Sequence, residues 1–175
     1  MKRTTGCLTT ILILFGAGLA IKIISPKRAT SSSSLVTAQT VEAPTSLPPS
    51  DFSGEKWGSH PSHHLKLLLP TTSEGLSLYV SKHSAGTFEG IPISEQDFQY
   101  VRNKLYGGDD YFDGGVKVWD KAFSKLVTLY GLPTFRNDDL RIVRWKWLPE
   151  KIEVVLSYQK SSGRTTLSYS DNDID

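Results

Sequence analysis

Between Gly115 and Tyr169 the apolar residues change their spacing from three-and-four to two, and no other feature of this 175-residue chain constrains its fold more tightly. Within 115–131, Trp119, Ala122, Phe123, Leu126, Val127 and Tyr130 recur at helical intervals, while Asp120, Lys121, Ser124, Lys125 and Thr128 fill the opposite side. An α-helix turns every 3.6 residues, so this spacing gathers the apolar set into one stripe. Gly131 accepts the left-handed conformation that ends a helix, and Pro133 blocks continuation. From Arg141 onward the pattern alternates. Val143, Trp145 and Trp147 share a strand face opposite Arg144 and Lys146. Ile152, Val154, Leu156 and Tyr158 share another, as do Thr165, Leu167 and Tyr169. Turns fall at 148–151, which contains Pro149, and at 160–163, which ends in Gly163. The expectation is an α+β fold: one amphipathic helix packed on an antiparallel sheet with a C-terminal three-strand meander, the other sheet face solvated.

The preceding segment is less regular. Residues 76–80 and 88–93 read as short strands, the second interrupted by Pro92. Residues 94–107 support two readings. Ser94 with Asp97 resembles a helix capping box, and Phe98, Val101 and Leu105 fit one helical face. Alternatively, 98–102 and Leu105-Tyr106 are strands joined at Asn103-Lys104, since Asn tolerates the turn conformation that a hairpin needs.

Asn103-Lys-Leu-Tyr-Gly107, the run from Leu126 to Gly131 with Pro133, Trp145, and the pair Ile152–Tyr158 and Leu167-Ser-Tyr-Ser170 form a recurring pattern. On these residues the chain from about Gly86 to Ser170 resembles a loose class of small uncharacterised secreted or periplasmic bacterial domains. The resemblance implies a hairpin at 94–107, an α+β fold and an envelope address. It brings no catalytic residues.

The N-terminal region points to a membrane. Residues 8–24 carry no charge until Lys22, behind Lys2-Arg3. As a helix this run spans roughly 25 Å, slightly less than a hydrocarbon core of ~30 Å, and Lys22 near its end has a stem long enough to reach the headgroups. One reading is a single-pass anchor, favoured because Ile21, Ile23 and Ile24 continue the apolar run. The other is a cleaved signal, with Gly18 and Ala20 before the cut. Residues 25–50 are rich in Ser, Thr and Pro, lack aromatics, and read as a disordered linker. The expected organisation is therefore a short tail (1–7), a transmembrane or signal segment (8–24), the linker (25–50) and one globular domain (51–175). That domain is expected on the periplasmic or extracellular side of the cell membrane, or released there after cleavage. The single cysteine of the sequence is Cys7, so the domain has no disulfide and its core has to hold it together. Of 20 basic and 18 acidic residues, 5 and 1 lie in 1–50, which leaves the domain about −2 and gives no electrostatic basis for nucleic-acid binding.

Three constellations carry chemistry. His60, His63 and His64 are close enough in sequence to share a metal ion, although Pro61 interrupts their spacing. Asp109, Asp113, Gly114 and Asp120 fall at positions 1, 5, 6 and 12 of a calcium loop, but position 3 is Tyr111 and the closing Glu is missing. Acids near a helix N-terminus explain that cluster better. Arg141, Arg144, Lys146 and Arg164 form a candidate basic stripe on the exposed sheet face. No Gly-x-Ser-x-Gly elbow is present, and no cofactor is implied. The leading expectation is a non-enzymatic, membrane-tethered or secreted envelope interaction or structural module, docking an envelope protein, anionic glycan or lipid through the basic stripe. Two alternatives stand beside it: a small metal-dependent hydrolase using the histidines with acids from 109–113, and an inhibitory or toxin-neutralising binding domain.

Overall fold

The computed structural model describes residues 44–173 apart from Glu74 and Ser84, so the apolar run 8–24 and most of the linker lie outside the described residues. In chain order the elements are β1 (Asp51–Phe52), β2 (Glu55–Lys56), β3 (Leu65–Leu69), β4 (Leu76–Ser81), β5 (Thr87–Phe88), β6 (Ile91–Pro92), β7 (Glu95–Val101) and β8 (Lys104–Phe112). Helix α1 (Val116–Tyr130) follows, then β9 (Phe135–Asn137), β10 (Ile142–Trp147), β11 (Ile152–Gln159) and β12 (Arg164–Asp171). Eight strands form one antiparallel sheet in the order β3-β4-β7-β8-β12-β11-β10-β9, while β1-β2 and β5-β6 are small separate ladders.

This corrects the expected fold class. The protein is mostly β, with 47 % of the described residues in strand and 12 % in helix, and its single described helix is an accessory to the eight-stranded sheet. The C-terminal meander is present, with Trp147 opposite Ile152 and Gln159 opposite Arg164. It forms only part of a continuous sheet, because β12 pairs along its other edge with β8.

Residues 94–107 form the hairpin β7–β8. Val101 pairs with Lys104 across a two-residue turn in which Arg102 and Asn103 both have positive φ, of 49° and 67°. That primed geometry matches the right-handed twist of the flanking strands, and it sets the turn one residue earlier than Asn103-Lys104. β8 then runs on to Phe112, so Asp109 and Asp110 lie in a strand, on opposite faces. The account of these acids as partners of a helix N-terminus is thereby corrected: α1 has no acid in its first turn, and its cap is Gly115 at φ 70°.

The buried hydrophobic side chains of the large sheet share one face. They include Phe98, Tyr100, Phe112, Val143, Trp145, Leu156 and Leu167. Helix α1 lays Trp119, Ala122 and Leu126 on this face, over β11 and β12. Its end is locked by Gly131, whose N–H bonds to Val127 O and whose carbonyl accepts from Trp145 Nε1 at 2.9 Å. Residues 44–50, assigned by composition to the linker, lie against the domain: Ser46 O accepts from Trp147 Nε1 at 2.8 Å, and Pro49 O from Trp57 Nε1 at 2.8 Å.

The inner face has a gap at Gly108, which pairs with both Phe98 and Tyr169. Phe52 fills that gap. Its ring lies 5.1 Å from Phe98 and 5.3 Å from Tyr169, and a Cβ at position 108 would fall 2.1 Å from Phe52 Cε1. Gly108→Ala should therefore push Phe52 off the sheet and lower the unfolding free energy by about 2 kcal/mol. Urea unfolding monitored by tryptophan fluorescence measures this, and a variant as stable as the parent would contradict the packing.

Candidate functional site

Where Phe52 meets the sheet, the N-terminal segment, the β5–β6 hairpin and the end of α1 do not close completely. They leave a cavity of about 370 Å³. One wall is the stretch from Pro49 to Ser53; a second is Ala85, Thr87, Phe88 and Ile93; Tyr130, Tyr169 and Asp110 supply the rest. Each wall has a local cause. Asp51 accepts from Gly54 N at 3.1 Å, making the tight turn that returns β1 on β2 and holds Phe52 inward. Tyr130 is the last residue of α1, and it also packs edge-on against Trp147 at 5.2 Å. Asp110 and Tyr169 project to the same side because β8 and β12 alternate in register, with Gly108 opposite Tyr169 and Asp110 opposite Leu167.

Asp110 is the one deeply buried acid of this cavity, with 4 % of its surface exposed. Gln96 Nε2 donates to its Oδ1 at 2.5 Å and to Ser53 Oγ at 2.6 Å, tying the β1–β2 turn to the sheet. Burial pushes the Asp110 carboxyl up to about 6, the Gln96 bond opposes that rise, and nearby Asp109 adds to it. Tyr169 and Tyr130 are hydrogen-bonded to each other, and burial raises both phenols; Asp51 and Glu89 push Tyr130 further up, Asp110 and Glu89 push up Tyr169.

The opposite, solvated sheet face carries a second polar group. Asp97 and Asp109 are direct cross-strand partners. Tyr111 donates to Asp97 Oδ2 at 3.0 Å, Gln99 Nε2 to Asp109 Oδ2 at 2.7 Å, and Tyr106 to Gln99 Oε1 at 2.9 Å. Asp97 is only 8 % exposed, and its Oδ1 is buried without a partner. Burial, then the neighbouring Asp109 charge, pushes Asp97 up to about 7; burial also raises Asp109.

The structure distributes the residues singled out by sequence as follows. Arg144 Nε pairs with Glu153 Oε1 at 2.6 Å, and Lys146 lies exposed on the same face, opposite Glu153 in register. Arg141 instead bonds Asp120 of α1 at 3.5 Å, its guanidinium 5.4 Å from the Trp119 ring. Arg164 pairs with Glu95 at 2.6 Å and stacks over Tyr111 at 4.4 Å. Three of the four cations thus spend their charge on acids of the same domain, and Arg141 leaves the stripe altogether.

His60 and His63 are exposed, whereas His64 turns inward, with Nε2 3.3 Å from Glu55 Oε1. Ser62 Oγ donates to Glu55 and lies 2.9 Å from His64 Nδ1 and 3.5 Å from Nε2. A serine whose proton goes to a carboxylate is not primed by the imidazole, so this trio fastens the 59–64 loop to β2. None of these side chains lines the cavity, and the histidines are not brought to the 109–113 acids; no group of three or more His, Cys, Asp or Glu among the described residues is placed to hold a metal ion. Nor is any described helix long and apolar enough to cross a membrane.

The residues that matter here were passed over in sequence because Tyr130 and Tyr169 fit core patterns. The available signal was Gly107-Gly108 inside a strand, which marks the close approach of another group. No family model matches the chain, and no curated protein and no solved structure matches it either.

Asp97, Asp109 and Asp110 all bind protons more tightly folded than unfolded, so the native state holds extra protons from about pH 4 to about pH 7. Their contribution to stability is complete below about pH 4 and is lost as pH rises through 7. Asp97→Asn keeps the Tyr111 bond and offers Asp109 an amide hydrogen. It should flatten the pH dependence of the thermal midpoint and raise that midpoint at pH 7.5 by on the order of 5 °C. A melt series across this range decides; an undiminished slope rules out Asp97 as the main titrating group.

Proposed function

We propose that this domain is a non-enzymatic binding module that captures a small ligand in the cavity between the N-terminal segment, the β5–β6 hairpin and the end of α1. The observation that carries this reading is the cavity itself: about 370 Å³, with Phe52, Phe88 and Ile93 in its walls beside the polar side chains of Ser50, Asp51, Ser53, Thr87, Asp110 and the Tyr130–Tyr169 pair. Small-molecule sites use such placed polar atoms beside apolar walls to fix a ligand's orientation. The reading keeps the binding role expected from sequence and moves its working surface away from the Arg144–Lys146 face, where Arg144 is already paired. The apolar leader and the Ser/Thr/Pro stretch support a setting at the cell envelope, with the domain tethered to the membrane or released from it.

Binding energy at such a site comes from burying ligand area against aromatic walls, and the polar atoms fix orientation. A plug in the wall should therefore compete with any ligand. Small-molecule fragments screened against the full chain in detergent by saturation-transfer NMR are expected to give hits that vanish in Ala85→Trp while the thermal melt stays within a few degrees. Hits that survive the plug, or no hits at all, would overturn the proposal.

A further inference from the structure

We infer that the ligand of this cavity is a small organic ammonium ion carrying an aromatic or aliphatic body, an assignment that rests on the binding role proposed above. Two independent features of the lining select this class. The first is charge. Asp51 and Asp110 both line the cavity, Glu89 lies close enough to act on both tyrosines, and no lining residue is Lys or Arg. An anion entering here would meet carboxylates on the N-terminal segment, on β8 and beyond the β5 strand, with no cation to receive it. A neutral ligand would leave that negative field unanswered.

The second feature is the aromatic content. Phe88 and Tyr130 present partly exposed rings, and the buried rings of Phe52 and Tyr169 stand behind them, so four different elements contribute aromatics. Ring faces carry negative quadrupole density that attracts a cation, most strongly where water is excluded. A bare metal ion is disfavoured by the same lining, which offers phenyl rings where a metal needs several oxygen or nitrogen donors. An organic ammonium satisfies both features, its N–H groups donating to carboxylates while its carbon body packs on Phe88 and Tyr130. The cavity has room for about ten non-hydrogen atoms.

The Asp110 carboxylate is the strongest anchor available. It is nearly fully buried, Gln96 holds its Oδ1 in a fixed position, and a charge-assisted bond gains most where water is excluded. The groups around it are Gln96 of β7 and Tyr169 of β12, with Asp109 acting from the opposite face of its own strand, none of them a cation.

Three matched probes test the assignment on the full chain in detergent at about pH 7.5: phenethylammonium, 2-phenylethanol and phenylacetate. Their shapes are similar and only the charge differs. The ammonium should bind about tenfold or more tighter than the alcohol, and phenylacetate should be the weakest of the three. Asp110→Asn, which preserves shape and the Gln96 bond, should reduce the advantage of the ammonium over the alcohol severalfold; Asp51→Asn provides the same comparison at the other lining acid. Equal or tighter binding of the alcohol or the carboxylate would overturn the ammonium assignment and leave the binding cavity standing. Failure of all three probes to bind would overturn the assignment together with the small-ligand reading.

Discussion

The packing of Phe52 onto Gly108 is the contact on which the rest of the architecture turns. β8 sits at the centre of the eight-stranded sheet, yet between its inward Leu105 and Phe112 the inward positions are Gly108 and Asp110, which supply no hydrophobic side chain. A ring from more than fifty residues upstream in sequence completes that row. Because a Cβ at 108 would overlap Phe52, the missing side chain and the inserted ring are two halves of one interaction. Anchoring Phe52 brings Asp51 and the 49–53 stretch over the sheet, and the cavity exists because that stretch bridges without filling.

The polar chemistry divides along the same strand. Asp109 and Asp110 are neighbours in sequence, but strand alternation sends one to the solvated face beside Asp97 and the other into the core beside Gln96. Each is raised by desolvation, and Asp109 also pushes up both Asp97 and Asp110. The outer pair bonds Tyr111 and Gln99, lines no cavity and leaves Asp97 Oδ1 without a partner, so its role falls on stability. The inner carboxylate opens on a space of molecular size. Similar residues thus acquire different capacities from the face on which they stand.

The basic residues show how tertiary pairing can remove an apparent site. Arg144 and Arg164 point to the open face as the alternation requires, but Glu153 and Glu95 meet them there, and exposed ion pairs of this kind contribute little beyond solubility and blocked edge association. Arg141 has a positive φ of 49° just before β10, which turns its side chain toward Asp120 and Trp119. A linear alternation count does not register that change of direction.

The amphipathic stripe of α1, its glycine stop and the apolar faces of β10–β12 were legible from spacing alone, because each depends on residues close in sequence and on a period set by backbone geometry. The hairpin at 94–107 was half legible: Asn103 marked a turn, while the pattern Gln96-Asp-Phe-Gln-Tyr100 suited helix and strand equally. What spacing left undecided was the long sheet. The strands β7 and β8 place Gln96, Gly108 and Asp110 where inward hydrophobics are expected, and their burial depends on partners such as Ser53 and Phe52 that no local window contains. The sequence by itself determined the helix, the meander and the balance of charge. Only the tertiary structure decided that the domain is a β protein with an acidic, aromatic cavity, because that cavity is made by long-range contacts between segments whose individual patterns say nothing of one another.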